Sequence, residues 1–248
     1  MVPRAVAVTW LALTLLALRN VGLLDSERVR RGFHNTGIFL KDLVPPDLDV
    51  LPEVTRALIE TLQIAFAGTT LGVVVALPLA LLANRLVAPP WIGVPIKLLL
   101  ALVRSVPAIL WAILFVVAVG LGPGAGTLGV ALYSVGYLGK IFYELFEDTD
   151  PEVIEAVRGV GCGPFQLARH AILPEALNGV VSQLLYMFEY NVRASAIMGF
   201  VGAGGIGFYL LGYIQTLQYQ SLLTAILVTL VAVVIIDRAS AALRTALR

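Results

Sequence analysis

The chain has 248 residues, of which 59% are hydrophobic and only 13% charged, and its mean hydropathy is +0.91. A soluble domain normally carries about a quarter charged residues, so this composition excludes one and indicates a protein embedded in a membrane. The net charge of +1 and the scattered basic residues predict no nucleic-acid partner. One cysteine, Cys162, excludes an internal disulfide, and with His34 and His170 it forms no cluster at metal-ligand spacing, so no metal site is expected.

The N-terminal segment is uncharged from Ala5 to Leu18 and again, beyond Arg19, from Asn20 to Leu24, and together these stretches approach the about 20 residues that a bilayer crossing needs. A secretory signal is the alternative. No clear small-x-small cleavage site follows the apolar core, so we predict a retained anchor. Residues 25–56 mix both signs of charge and contain Pro45-Pro46, which predicts an external loop of short amphipathic pieces.

A second crossing is predicted from Thr61 to Asn84, which is free of charge and carries small residues at 68–72 that favour close helix packing. The next segment, from Trp91 to Arg104, holds Lys97 and Arg104 on one face. We expect it at the membrane interface, because a charge at the bilayer centre costs about 3 kcal/mol. The alternative is that these are buried charges of a transport pathway.

Residues from Ser105 to Gly139 are uncharged and too many for one span. A glycine-rich stretch at 120–126 divides them, which predicts two crossings joined by a tight turn. Lys140 and Glu144 stand four residues apart at the exit of the second crossing, and this spacing predicts a self-neutralising ion pair.

Residues 150–174 form the one long polar interval in the apolar C-terminal half. Asp150 is expected to cap a short helix, with Pro151 at its first position. One face of that helix is predicted to be apolar, through Val153, Val157 and Val160. Glycines then end it, and a second short helix is predicted from Pro164 to Arg169, before the apolar span that begins at Leu173-Pro174.

Within this interval, Glu155-Ala156-Val157 is followed by Gly161 after three residues and by Leu173-Pro174 after eleven more. This pattern resembles the EAA loop of ABC importer permeases, with valine for the last alanine and the isoleucine displaced to Ile172. The resemblance implies a cytoplasmic coupling helix that docks on an ATP-hydrolysing subunit. The residues it assigns to ATPase coupling are Glu155, Ala156, Val157, Arg158, Gly161, Leu173 and Pro174. An ordinary amphipathic surface loop is the alternative.

The C-terminal part is predicted to contain a span from Pro174 to about Met198, a glycine-rich break, a short helix to about Tyr219 and a last crossing from Ser221 to Ile236. Six crossings in all would place both termini and the 150–174 interval on one side of the membrane. The positive-inside rule agrees only weakly, because the 25–56 loop also carries five basic residues.

A second polar group lies inside or near this span, where Glu189 and Arg193 stand one helical turn apart with Asn191 between them. Charged residues at such depth pair with each other or face a pathway, and both roles stay open here. The glycines from 199 to 207 include a G-x-G-x-x-G spacing, but no strand precedes it, so a dinucleotide site is not expected. We interpret them as irregular backbone beside a cavity or gate.

The motif from Tyr186 to Arg193 and the glycines up to Gly207 resemble the Y-x-F-E-x-N-x-R and G-x-V-G-A-G-G-I-G signature of phosphonate ABC permeases. The resemblance implies an all-α type I importer permease with about six transmembrane helices, divided into residues 1–56 and a transmembrane domain at 57–248. It also implies a homodimer in a bacterial or archaeal inner membrane, two cytoplasmic ATPase subunits that hold ATP and Mg, and an external binding protein. Candidate pathway or gate residues are Tyr186, Glu189, Asn191, Arg193, Gly202, Gly204 and Gly205.

The function implied is passage of phosphonate, phosphite or phosphate, with no catalysis and no cofactor on this chain. The sequence contains no P-loop, so ATP hydrolysis is expected in a partner. The alternatives are a permease for methionine or another small organic solute, or a secondary transporter or channel, which predicts repeated halves. A membrane-embedded enzyme would need convergent His, Asp or Cys residues within the spans, and none is visible.

Overall fold

The computed structural model describes residues 2–246, and every regular element in that range is a helix, which confirms the all-α class. The N-terminal helices are α1 (Val2–Asn20), α2 (Ser26–Leu43), α3 (Leu51–Ala83), α4 (Pro90–Ser105) and α5 (Ala108–Val119). The others are α6 (Pro123–Glu147), α7 (Pro151–Gly159), α8 (Pro164–Leu167), α9 (Leu173–Met198), α10 (Ile206–Gln215) and α11 (Tyr219–Ala246). A π-helical turn, Ala168–Ile172, links α8 to α9, and a 3-10 turn, Gly199–Val201, follows α9.

Helix α6 lies at the centre, packed by α3, α4, α5 and α9. Glycines make this packing close. A Cβ on Gly72 would lie 2.4 Å from the Ser134 Cβ, and one on Gly129 would lie 2.8 Å from the backbone of Ala112 in α5. The predicted role of the small residues at 68–72 in helix packing is therefore confirmed, except at Thr70, which is exposed.

The third predicted crossing is wrong as stated. Helix α5 has only 12 residues, about 18 Å of helix, too short for a hydrocarbon core of about 30 Å. It bends by 89° from α4 across a short break at Val106-Pro107, so the two helices together form a broken span or a re-entrant loop. The break occurs there because the residue before a proline disfavours helical geometry.

Three helical segments in the described range are long and apolar enough to cross a membrane: α3, the continuous helix Pro164–Val201, and Tyr219–Thr245 of α11. The bent α4–α5 pair would make a fourth. Residues Val6–Asn20 form a shorter apolar helix. The count of six crossings therefore stays a prediction.

Two further regions differ in part from the sequence prediction. Helix α9 begins at Leu173, as predicted, but the π-helical turn joins it to α8, so the chain is helical from Pro164 to Met198 without a break. Residues 25–56 contain the 18-residue helix α2 and the first turns of α3, not short pieces. The Lys140–Glu144 ion pair is confirmed.

Candidate coupling loop and intramembrane polar sites

The loop at residues 150–174, called the 150–174 loop below, opens with α7, which is capped as predicted. The Asp150 carboxylate accepts a hydrogen bond from the Glu152 amide at 2.8 Å, and Pro151 occupies the first helical position, where its missing N–H costs nothing. The cap and the proline therefore fix the first turn of α7 at the start of the loop.

The inward face of α7 is not the predicted row of valines. Ile154 is buried and Val157 half-buried in the apolar cluster of α6 and α9, whereas Val160 is 79% exposed. The predicted row left out Ile154, which lies three residues before Val157 and forms the buried stripe with it. Among the residues assigned to ATPase coupling, those exposed are Glu155, Ala156, Arg158, Gly161 and Pro174.

The loop is fastened at both ends. The backbone amide of Asp150 donates to Glu175 Oε1 at 3.0 Å, which joins the start of α7 to the start of α9. Gly161 turns the chain with φ +81°, a conformation that residues with a side chain rarely adopt. The Gly163 amide then donates to the Gln166 side chain at 3.0 Å, and this bond caps α8. A displacement of α7 would therefore be passed to α9.

A charge cluster lies where α6 meets the 150–174 loop. Glu147 accepts a hydrogen bond from Lys97 Nζ at 2.8 Å and one from the Arg85 amide at 3.3 Å. Burial by itself would raise the pKa of Glu147, but these hydrogen bonds and the positive charges of Lys97 and Arg85 outweigh it and hold the pKa below 4.5. Sequence spacing gave no signal for this contact, because Lys97 and Glu147 are fifty residues apart.

Glu189 and Arg193 do not pair with each other, so of the two alternatives left open by the sequence, the i, i+4 ion pair is wrong. Glu189 accepts from Arg244 Nη1 at 2.6 Å, and Arg193 Nη1 donates to both Asp237 oxygens at 3.0 and 3.2 Å. Both partners lie on α11, which packs along α9. The charged groups of α9 therefore form charge-assisted hydrogen bonds with α11 instead of with each other. The two ion pairs clamp α9 to α11.

Asn191 lies wholly inside the helix bundle. Its side-chain amide donates to Thr69 Oγ1 at 2.8 Å and to Ser134 Oγ at 2.9 Å, so one residue joins α9 to α3 and α6. It has no exposed surface. Asn191 therefore holds the three helices together from within.

The glycines at 199–205, called the glycine loop below, are packed against α3 and α6. The Gly205 amide donates to Glu60 Oε1 at 2.9 Å, and a Cβ on Gly204 would meet that same oxygen at 2.7 Å. Gly202 accepts from the Gly122 amide at 2.8 Å. Gly202, Gly204 and Gly205 all have positive φ, so only glycine fits this close approach. The predicted irregular backbone is present, and Glu60, which holds it, was missed.

Sequence reasoning also missed a row of tyrosines. The ring centroids of Tyr133 and Tyr190 lie 5.6 Å apart, those of Tyr133 and Tyr137 6.4 Å, and those of Tyr137 and Tyr186 6.3 Å. We call these four residues the tyrosine face. The i, i+4 spacing within each helix was visible in the sequence, but the pairing of α6 with α9 was not.

Comparisons with known proteins all indicate the same class of protein, a transport permease. Residues 51–248 match the family model described as binding-protein-dependent transport system inner membrane component. The phosphite transport system permease protein PtxC of Stutzerimonas stutzeri is 41% identical over 231 residues, which cover 93% of this chain and 84% of that protein. The phosphate-import permease protein PhnE of Mycolicibacterium smegmatis is 38% identical over 217 residues, which cover 87% of this chain but only 41% of that longer protein.

A solved structure supports the same fold. An inward-facing form of the MetNI methionine ABC transporter superposes with a TM-score of 0.72 at 26% identity. The match covers 82% of this chain and 99% of that one. The type I importer permease fold is therefore shared.

Proposed function

Because the chain belongs to the family of binding-protein-dependent transport system inner membrane components, we propose that it forms the translocation pathway for phosphite, phosphate or a phosphonate. The observation that carries this proposal is the 41% identity, over 93% of the chain, to a phosphite transport permease. The chain itself performs no chemistry. ATP and Mg belong to a partner ATPase, and an external binding protein delivers the anion.

The construction of the 150–174 loop supports the coupling role. Glu155 and Arg158 are exposed on α7, while Ile154 anchors the helix in the core. Exposed Phe165, at the start of α8, adds an apolar contact point to the same loop. An ATPase that engages this outer face would move α7 and α9 as one body, which opens the pathway alternately to either side of the membrane.

In this proposal the 150–174 loop and both termini are cytoplasmic, and two copies of the chain form the pathway. Apolar side chains on the outer surface of α3 are exposed, such as Leu71 (48%) and Val74 (65%), and are covered by the second copy or by lipid. Residues 25–43 then lie on the external side.

The test is ATP-dependent uptake by proteoliposomes that contain the permease, its ATPase and its binding protein. Methylphosphonate, aminoethylphosphonate, phosphite and phosphate are offered separately. We expect uptake of at least one, abolished when ATP is omitted. Uptake of none of the four by an assembly whose ATPase is active would refute the proposal.

A permease for methionine is the second candidate, favoured by the superposition on the methionine transporter at a TM-score of 0.72. Methionine in the same proteoliposomes distinguishes the two. ATP-dependent uptake of methionine without any phosphorus oxyanion would replace the first proposal by the second.

A further inference from the structure

The tyrosine face is unusual for helices packed inside a membrane protein. Tyr133, Tyr137 and Tyr190 are half-buried and Tyr186 is 44% exposed, so the row is accessible along its length. A phenol pointing into lipid would lose its hydrogen bonds to water, at a cost that a membrane helix normally avoids. A row of phenols therefore favours water or a polar ligand over lipid as its neighbour.

Arg104 lies beside the tyrosine face. A Cβ on Gly136 would lie 2.7 Å from the Arg104 backbone nitrogen, which fixes Arg104 at the level of Tyr137. Its positive charge acts on the hydroxyls of both Tyr133 and Tyr137. Among the described residues, however, the Arg104 guanidinium has no hydrogen-bond or ion-pair partner.

The depth of Arg104 makes this lack of a partner significant. Gly136 precedes Glu147 by eleven residues, which is about 16 Å of helix. Glu147 belongs to the charge cluster at one end of the bundle, so Arg104 lies about halfway across a hydrocarbon core of about 30 Å. A charged side chain at such a depth faces a water-filled cavity or a ligand, since facing lipid costs several kcal/mol.

A cavity of about 270 Å³ lies at the α4–α5 break, where Pro107 is three residues beyond Arg104. Its polar lining comes from Tyr190 and Arg193 of α9, and its other lining residues are apolar: Pro107, Ala108, Ile109, Ala194, Ile197 and Met198. Its volume falls just below the range of about 300–1,000 Å³ for drug-sized ligands, which leaves room for a small anion beside Arg193. Arg193 gives only Nη1 to Asp237, so its Nη2 and Nε donors have no partner among the described residues. Asp237 also offsets part of its charge, which would keep the binding weak.

We propose that Arg104 and Arg193, with the hydroxyls of Tyr133, Tyr137 and Tyr190, form an intramembrane subsite that holds a phosphorus oxyanion during its passage. This inference rests on the proposed function. Guanidinium groups bind the oxygens of such anions with paired, charge-assisted hydrogen bonds, and neutral phenols add donors without adding charge. A site of this kind attracts the anion yet releases it, as conduction requires.

The first test measures binding of radiolabelled phosphite and methylphosphonate to the detergent-purified permease–ATPase complex without the binding protein. The variants are Arg104→Gln, Arg104→Lys and Tyr137→Phe. We expect Arg104→Gln to weaken binding at least tenfold, Arg104→Lys to recover part of it, and Tyr137→Phe to weaken it about threefold. The matched control, Tyr143→Phe, removes a hydroxyl from the same helix next to Lys97 and away from the tyrosine face, so its binding should equal that of the wild type.

The second test measures ATP-dependent uptake together with basal ATPase activity. We expect Arg104→Gln to lower uptake at least tenfold and Arg104→Lys to restore part of it, at an unchanged size of the complex, which a merely structural role would not produce. The control Tyr143→Phe should leave both uptake and basal ATPase activity unchanged. If the wild type takes up a phosphorus oxyanion and both Arg104→Gln and Tyr137→Phe bind and transport it equally well, the subsite is refuted and the proposed function stands. If the wild type takes up none, the proposed function itself fails.

Discussion

The core of α3, α6 and α9 and the 150–174 loop are built in opposite ways. In the core, glycines bring helix backbones together and Asn191 joins all three helices without exposing any surface. In the loop, two local caps and a few apolar side chains such as Ile154 hold the position, and the charged side chains point outward. The core thus fixes geometry, whereas the loop presents a surface. Substitutions in the core should therefore change stability, and those in the loop should change coupling.

Of the substitutions predicted below, Gly129→Ala is expected to have the largest effect on stability. Its added methyl group in Gly129→Ala would meet the Ala112 backbone at 2.8 Å, and backbone cannot move aside without separating α5 from α6. We expect a loss of about 1–3 kcal/mol, the usual cost of overpacking. The control is Gly124→Ala on the same helix, which has open space and should match or exceed the wild type. Thermal unfolding in detergent measures both, and equal melting temperatures would contradict close packing here.

A smaller loss is expected for Asn191→Leu. It removes the hydrogen bonds to Thr69 and Ser134, and bonds between membrane helices are worth about 0.6 kcal/mol each on average, so we expect about 1 kcal/mol. Asn178→Leu, at an exposed position of the same helix, is the control and should have little effect. Thermal unfolding of both variants and the wild type should be measured in the same detergent and in one experiment. A more stable Asn191→Leu variant would mean that the polar junction serves another purpose.

The charge cluster around Glu147 predicts a dependence on pH. Because its pKa is lowered in the folded protein, Glu147 stabilises the fold above the pKa of the unfolded chain, and this contribution is lost as the pH falls through the folded pKa. The melting temperature of the wild type should exceed that of Glu147→Gln at neutral pH, and the difference should shrink below pH 4.5. A difference that stays constant from pH 7 to pH 3 would argue against the ion pair with Lys97.

The smallest effect on stability, and a large effect on transport, is expected for Glu155→Lys. Glu155 is exposed, and among the described residues its side chain makes no hydrogen bond or ion pair. We expect an unchanged melting temperature, persistent ATPase activity and loss of uptake in the reconstituted transporter. Glu152→Lys makes the same charge change on the same helix, outside the motif, and should retain uptake. Normal uptake by Glu155→Lys would remove the basis for coupling through α7.

Several features were predictable because short stretches of sequence determine them. The cap at Asp150, the pair Lys140–Glu144 and the irregular glycine backbone depend on neighbours within a few residues. The valine face of α7 was wrong because the spacing argument left out Ile154, which forms the buried stripe with Val157. The start of α9 at Leu173 was predicted, but its continuity with α8 was missed, because a π-helical turn cannot be read from apolar periodicity.

The sequence by itself determined the membrane class, the helical fold and the permease family, because composition, apolar run length and a spaced motif are properties of the chain alone. Only the tertiary structure decided which charges meet. Glu189 forms an ion pair with Arg244, and Arg193 forms one with Asp237; in each pair the two residues are more than forty positions apart in the sequence. The tyrosine face likewise exists only where α6 packs on α9, because long-range contacts follow from helix packing and not from sequence spacing.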